Sequence, residues 1–155
     1  MKLRDPFGTP YLFKGLLIWV FGLLSWYRFN RVNRLKFKGL EHIRSIPREN
    51  VLFVSNHQTY YADVTAINHG FHLSRKNHSN TRWPFYLFPP FVTSYYVAAR
   101  ETMKESGLLP RLFAMAGGIT VRRTWREKGQ TIHREVDKKD QDKIPIALKA
   151  GWIVT

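Results

Sequence analysis

Thirteen consecutive residues, Gly15–Tyr27 (GLLIWVFGLLSWY), carry no charge in a chain where Lys and Arg number 25 and Asp and Glu 11. Counting back to Tyr11 lengthens the run to seventeen residues, with Lys14 inside it. A helix that crosses a bilayer takes about 20 apolar residues, so the run is short for a span. No small-residue cleavage site follows it, which argues against a removed signal peptide. Lys2 and Arg4 precede it, and Arg28, Arg31, Arg34, Lys36 and Lys38 follow. The richer flank stays cytoplasmic under the positive-inside bias. Trp19, Trp26 and Tyr27 are side chains that favour the headgroup region. The segment is therefore expected to be a helix dipping into or lying in one leaflet, anchored by anionic lipid. A buried core helix and a true span are the alternatives.

The chain of 155 residues suits one domain of modest core, with a formal net charge of +14. Aromatic residues make up 15% of it, too many for a disordered basic tail. It has no cysteine, which excludes disulfides, a thiol nucleophile, thiolate zinc sites and iron–sulfur clusters. The charge points to an anionic partner: nucleic acid, a membrane surface or a phosphorylated ligand. Composition does not choose among them.

The rest of the chain alternates strand-like and helix-like segments, which gives an α/β class. Leu35–Lys38 alternates apolar and basic residues as a half-exposed strand, and Gly39 turns it. Arg44–Asn50 reads as a loop. Val51–Ser55 is a continuous apolar run, expected to be a strand covered on both faces. Asn56–Asp63 leaves that strand, and Val64–Phe71 is a short helix. His69–Arg82 is polar and irregular, and Trp83–Phe91 is a rigid apolar connection with three prolines. Ser94–Ala99 is a strand, and Leu108–Met115 a helix with Pro110 in its first turn. Gly117–Arg123 turns into a further strand, and Gln130–Lys143 is a solvated helix or loop. Pro145–Ala150 is a helix stopped by Gly151, before the apolar β-type run Trp152–Thr155.

The local signal with most chemistry in it is Asn56-His57-Gln58-Thr59-Tyr60-Tyr61-Ala62-Asp63, directly after the apolar strand. A histidine at a strand's end faces a cleft on rigid backbone, and an imidazole of pKa about 6.5 accepts a proton at neutral pH. A carboxylate on its other nitrogen fixes the tautomer and stabilises the imidazolium. On one regular helix His57 and Asp63 would sit on different faces, at about 100° per residue. A turn that doubles back has to join them.

The stretch Arg34–Val64 resembles the glycerolipid acyltransferases, the 1-acylglycerol-3-phosphate acyltransferase family. That family carries Asn-His-x-Ser-x-x-Asp after a buried strand, preceded by a Gly-x-Glu turn. Here Gly39, Glu41, Asn56 and His57 stand in place, Thr59 replaces the serine, and one extra residue precedes Asp63. The His-x5-Asp form resembles a bacterial branch of the family. Gly117-Gly118-Ile119-Thr120-Val121-Arg122-Arg123 is similar to the family's next motif, with Arg123 at the motif's arginine. Guanidinium groups there would bond phosphate in bidentate fashion. Lys149–Thr155 resembles the lead-in to a third motif, a Pro-Glu-Gly-Thr-Arg-type turn, which these residues do not reach. The resemblance therefore covers residues 34–155 as the front part of an acyltransferase domain, with 1–33 as the membrane-associated segment. A chain ending there is expected to be inactive or barely stable, because a missing strand leaves unpaired edges.

The resemblance implies an acyltransferase-type sheet flanked by helices, incomplete at its C-terminal side. It implies transfer of a fatty acyl group from acyl-CoA or acyl carrier protein to the free hydroxyl of lysophosphatidic acid, in phospholipid biosynthesis. His57 would be the base and Asp63 its partner, while Asn56, Thr59, Gly117, Arg122 and Arg123 would bind substrate. No metal or resident cofactor is implied, and no nucleic acid. The location implied is the cytoplasmic face of a bacterial inner membrane.

Rival readings remain at this point. Arg28–Lys38 interleaves cations and aromatics as single-strand nucleic-acid binders do, although no RNP-like or KH-like motif accompanies it. A non-catalytic membrane-surface protein is the third possibility. His69, His72 and His78 fall within ten residues but have no Asp, Glu or Cys among them, so they read as surface histidines.

Overall fold

The computed structural model describes residues 3–56, 62–78, 81–100, 107–121, 126–127, 130–131 and 138–154. The uncharged run forms helix α1, Tyr11–Tyr27, and a π-helical turn, Arg28–Val32, continues it. Together they make one helix of 22 residues, long and apolar enough to cross a membrane. Near the junction the Ser25 hydroxyl donates back to the Phe21 carbonyl at 2.7 Å, a bond that competes with the helical ladder. Gly39, at φ +77°, turns the chain into the short helix α2, Leu40–Arg44. Strand β1 (Val51–Phe53), helix α3 (Ala62–Arg75) and strand β2 (Ser94–Ala99) follow. Helix α4 (Leu108–Met115) then leads to strand β3 (Gly118–Val121). Strands β4 (Arg126–Glu127) and β5 (Gln130–Thr131) pair antiparallel as a small separate ribbon. Helix α5 (Lys138–Ala150) passes through Gly151 into strand β6, Trp152–Val154.

The main sheet has the order β1-β6-β2-β3, and every pairing is parallel. Strand β6 enters between β1 and β2, with Trp152 level with Val51 on one side and Ser94 on the other. Successive side chains alternate faces. Trp152, Val154 and Tyr96 meet Phe71 of α3 and Phe91 on one face, while Tyr95, Ile119 and Ile153 meet Ala147 of α5 on the other. Burial on both faces explains why SYYVAA and WIV read as unbroken apolar strings. The Trp152 indole N–H donates to the Pro47 carbonyl at 2.6 Å, and its ring meets Phe71 and Phe91 edge-on at 4.9 Å. Gly151 admits no side chain, because a Cβ there would lie 1.8 Å from the Thr93 carbonyl oxygen.

Helix α1 packs one side onto this body. Leu17 and Ile18 join Ala116, and Phe21 stacks on Phe113 of α4 at 4.2 Å. Gly15 faces Pro90 and Gly22 faces Leu87, where added methyl groups would approach to 3.1 and 3.3 Å. Lys14 is fully buried on the same side, 3.7 Å from Asp5 Oδ2 and 3.6 Å over the Tyr95 ring.

Several expectations need correction. Leu35–Lys38 is extended and alternates in burial, but among the described residues it pairs with no strand. Strand β1 is not covered on both faces: it is the edge of the described sheet, and Leu52 and Val54 are exposed. Helix α3 runs on through Arg75, so His69 and His72 are buried helix residues and not surface ones. Helix α5 begins well before Pro145, anchored by Asp140 in its first turn. The apolar connection Trp83–Phe91 contains a 3₁₀ turn, Pro84–Leu87, and a cis Phe88–Pro89 bond.

Candidate functional site

All four strands of the main sheet point the same way, so their carboxyl ends share one edge, where open α/β sheets receive ligands. Asn56 is exposed three residues past the end of β1, and Asp63 lies in the first turn of α3. The two therefore bracket the passage from strand to helix at that edge. A carboxylate in the first turn also suits the positive end of the helix dipole. His57 and Thr59 fall between them, outside the described residues, as do Arg122 and Arg123 just past the end of β3. Strands β1 and β3 are the outer strands, about 14 Å apart at the usual strand spacing. The carboxyl ends of β1 and β3 thus form opposite flanks of one edge.

Gly117 is not brought to that edge. It sits at the start of β3, about 13 Å upstream of the strand's carboxyl end. Its φ is +127°, and a Cβ would press on the Ser94 carbonyl oxygen at 2.7 Å and on Lys14. Glycine is needed there for close backbone approach.

An apolar cleft of about 40 Å³ opens between α1, α3, α4 and the sheet. Val64 and Thr65, the residues after Asp63, form one wall, and Ile18, Phe21 and Gly22 of α1 form another. Asn68 and His69 add a polar strip, and among the described residues the Asn68 Oδ1 has no hydrogen-bond partner.

The α3 histidines are connectors. His69 Nε2 lies 2.8 Å from Ser25 Oγ, and its Nδ1 is 2.6 Å from the Tyr86 hydroxyl. Because the Ser25 proton already goes to Phe21, the consistent assignment has Nε2–H donating to Ser25 and Tyr86 donating to Nδ1. His72 Nδ1 donates to the Asn68 carbonyl at 2.8 Å, and its Nε2 accepts the Phe91 N–H at 2.9 Å. Burial lowers both from 6.5 to about 4, and the neighbouring His72 lowers His69 further. Both rings are neutral at pH 7. No three His, Asp or Glu converge as metal ligands among the described residues.

One polar cluster at the carboxyl edge escaped the sequence reading. Arg100, directly after β2, and Lys143 both donate to the buried Asp140 carboxylate, and Lys143 reaches the Thr120 carbonyl at 3.3 Å. The cluster ties the start of α5 to the ends of β2 and β3. Forty residues separate Arg100 from Asp140, and no local pattern signals the pairing.

Against this geometry, comparison with protein-family models, curated proteins and solved structures finds no match for the chain.

Proposed function

We propose that the chain is a membrane-associated acyltransferase, moving a fatty acyl group from a thioester to the free hydroxyl of lysophosphatidic acid. The observation that carries this reading is the passage from β1 to α3. A histidine motif lies between a strand's carboxyl end and a helix whose first turn supplies a carboxylate. In this reading His57 takes the hydroxyl proton and Asp63 orients the ring. The alkoxide attacks the thioester carbonyl, the C–O bond forms, and the C–S bond breaks. The imidazolium returns its proton to the departing thiolate, leaving an ester and a free thiol. No acyl-enzyme is needed, which suits a chain without cysteine.

Other features support the reading. Asn56 and Thr59 would line the approach to His57, and Arg122 and Arg123 would hold the acceptor phosphate across the edge. The apolar cleft beside Asp63 offers a surface for acyl methylenes. Acyl-CoA or acyl carrier protein would be the donor, with no resident cofactor. Leu12, Leu16, Val20 and Leu24 of α1 are exposed, while its opposite side packs on the fold. A helix packed on one side and apolar on the other suits lying in one leaflet. The cytoplasmic face of a bacterial inner membrane is the location we propose.

The test is acyl transfer to lysophosphatidic acid in anionic vesicles. His57→Ala is expected to lower turnover by about 10²–10⁴-fold, the usual weight of a general base. An alanine variant turning over like the parent would remove His57 from the chemistry.

A further inference from the structure

The segment Thr81–Val92 runs beside α1 and is firmly held there. The Trp26 indole N–H donates to the Thr81 carbonyl at 2.6 Å, Leu87 packs against Gly22, and Pro90 against Gly15. Within its 3₁₀ turn the fold has already buried Tyr86 and Leu87, each 2% exposed. The residues left outside are Trp83, Phe85 and Phe88, at 62, 78 and 65% exposure, with Trp83 and Phe85 stacked at 6.4 Å. Large aromatics that a fold holds rigidly in the open mark an interaction surface.

The charge pattern selects the occupant. The α1 helix with the segment after it, residues 11–38, and the segment packed beside it, residues 81–92, contain none of the chain's 11 acidic residues. Arg28, Arg31, Arg34, Lys36 and Lys38 are all exposed at the C-terminal end of the α1 helix. Near an anionic leaflet each such cation adds to the attraction. Exposed apolar rings on a segment tied to the cation-rich end of this helix fit phospholipid better than a protein face.

We infer that Trp83, Phe85 and Phe88 form a second membrane-inserting element, entering the same anionic leaflet as α1. This rests on the membrane part of the proposed function. A single apolar helix fixes the roll of the body about the helix axis only loosely, through one narrow stripe of exposed side chains. A second, off-axis point of insertion fixes that rotation, and with it the direction in which the carboxyl edge of the sheet faces.

Because the chain has no cysteine, single nitroxide labels can be placed at Leu16→Cys, Phe85→Cys and Glu49→Cys. All three positions are exposed. The labelled chains are mixed with vesicles of equal parts phosphatidylcholine and phosphatidylglycerol, and collisions with oxygen and with a water-soluble nickel chelate are compared. Labels at positions 16 and 85 are expected to gain oxygen and lose nickel contact, while that at 49 is unchanged. A lipid-like label at 16 with a water-like label at 85 overturns this inference and leaves the membrane reading intact. Water-like labels at both positions overturn the membrane reading itself. Spin–spin broadening at 85 without an oxygen gain points to a second copy and also overturns the inference. Trp83→Ser with Phe85→Ser is expected to weaken vesicle partition about tenfold or more, from lost ring burial. Unchanged partition by that variant would count against insertion.

Discussion

A lysine with no exposed surface needs a partner, and among the described residues Lys14 has one carboxylate within 4 Å, that of Asp5 at 3.7 Å. Asp5 is itself buried and also accepts the backbone N–H groups of Phe7 and Thr9 at 3.0 and 2.9 Å. The pair pins the N-terminal turn under α1, with the ammonium over the Tyr95 ring. Among the described residues Lys14 Nζ has no hydrogen-bond partner, so the pair gains only part of what its desolvation costs. Breaking it from one side should therefore be worse than replacing it. Asp5→Ala and Lys14→Met, which each strand one buried partner, are each expected to lower stability by about 3–5 kcal/mol. Urea denaturation of both single variants and the double variant checks this, with the double variant losing clearly less than the sum of the two single losses. In the sequence Lys14 merely interrupts an apolar run, and nothing there announces its counter-ion.

At the scale of elements, α1 is joined to α3 and to the Pro84–Leu87 turn through His69, while His72 joins α3 to Phe91. Each neutral ring uses one nitrogen as donor and one as acceptor, so a second proton would displace a partner. The folded pKa of each is about 4 against 6.5 unfolded, because burial opposes the charge. Between those values the unfolded chain binds more protons than the folded one, so stability falls as pH falls. The full contribution is present above about pH 6.5 and is lost down to about pH 4. The two together give a slope of up to about 2.7 kcal/mol per pH unit. Denaturation midpoints measured from pH 7 to 4.5 check this, and His69→Gln should remove about half of the slope.

These links also explain what could be read early. Helices α1 and α4 and strands β2 and β6 announce themselves because their buried faces are apolar. Helix α3 hides part of its extent because its buried face carries His69, His72 and Ser74, each of which takes a partner distant in sequence. The LKFK alternation has the period of a strand, yet a ladder needs a neighbour that no local pattern supplies.

Over the whole molecule, the sequence announces strands but not which strands lie side by side. The Asn56–Asp63 bracket was legible because a short apolar run and a polar motif abut in the chain, whereas the Arg100–Asp140–Lys143 cluster exists only once the sheet is ordered. The insertion of β6 depends on Gly151, which was legible as a helix stop but not as the point where two backbones nearly touch. Gly151→Ala is expected to abolish cooperative unfolding and the near-ultraviolet signal of the aromatic core. Ala150→Gly, one residue earlier, should cost only about 1 kcal/mol. Circular dichroism of the two variants makes the comparison.

Strands β1 and β2 never touch each other within the sheet; each grips β6 instead. Trp152–Val154 therefore works as a keystone, the last-threaded course that locks two earlier flanks into one arch. A proteolytic cut ahead of it would not trim a margin. It would part the carboxyl edge down the middle, leaving β1 on one bank and β2 with β3 on the other.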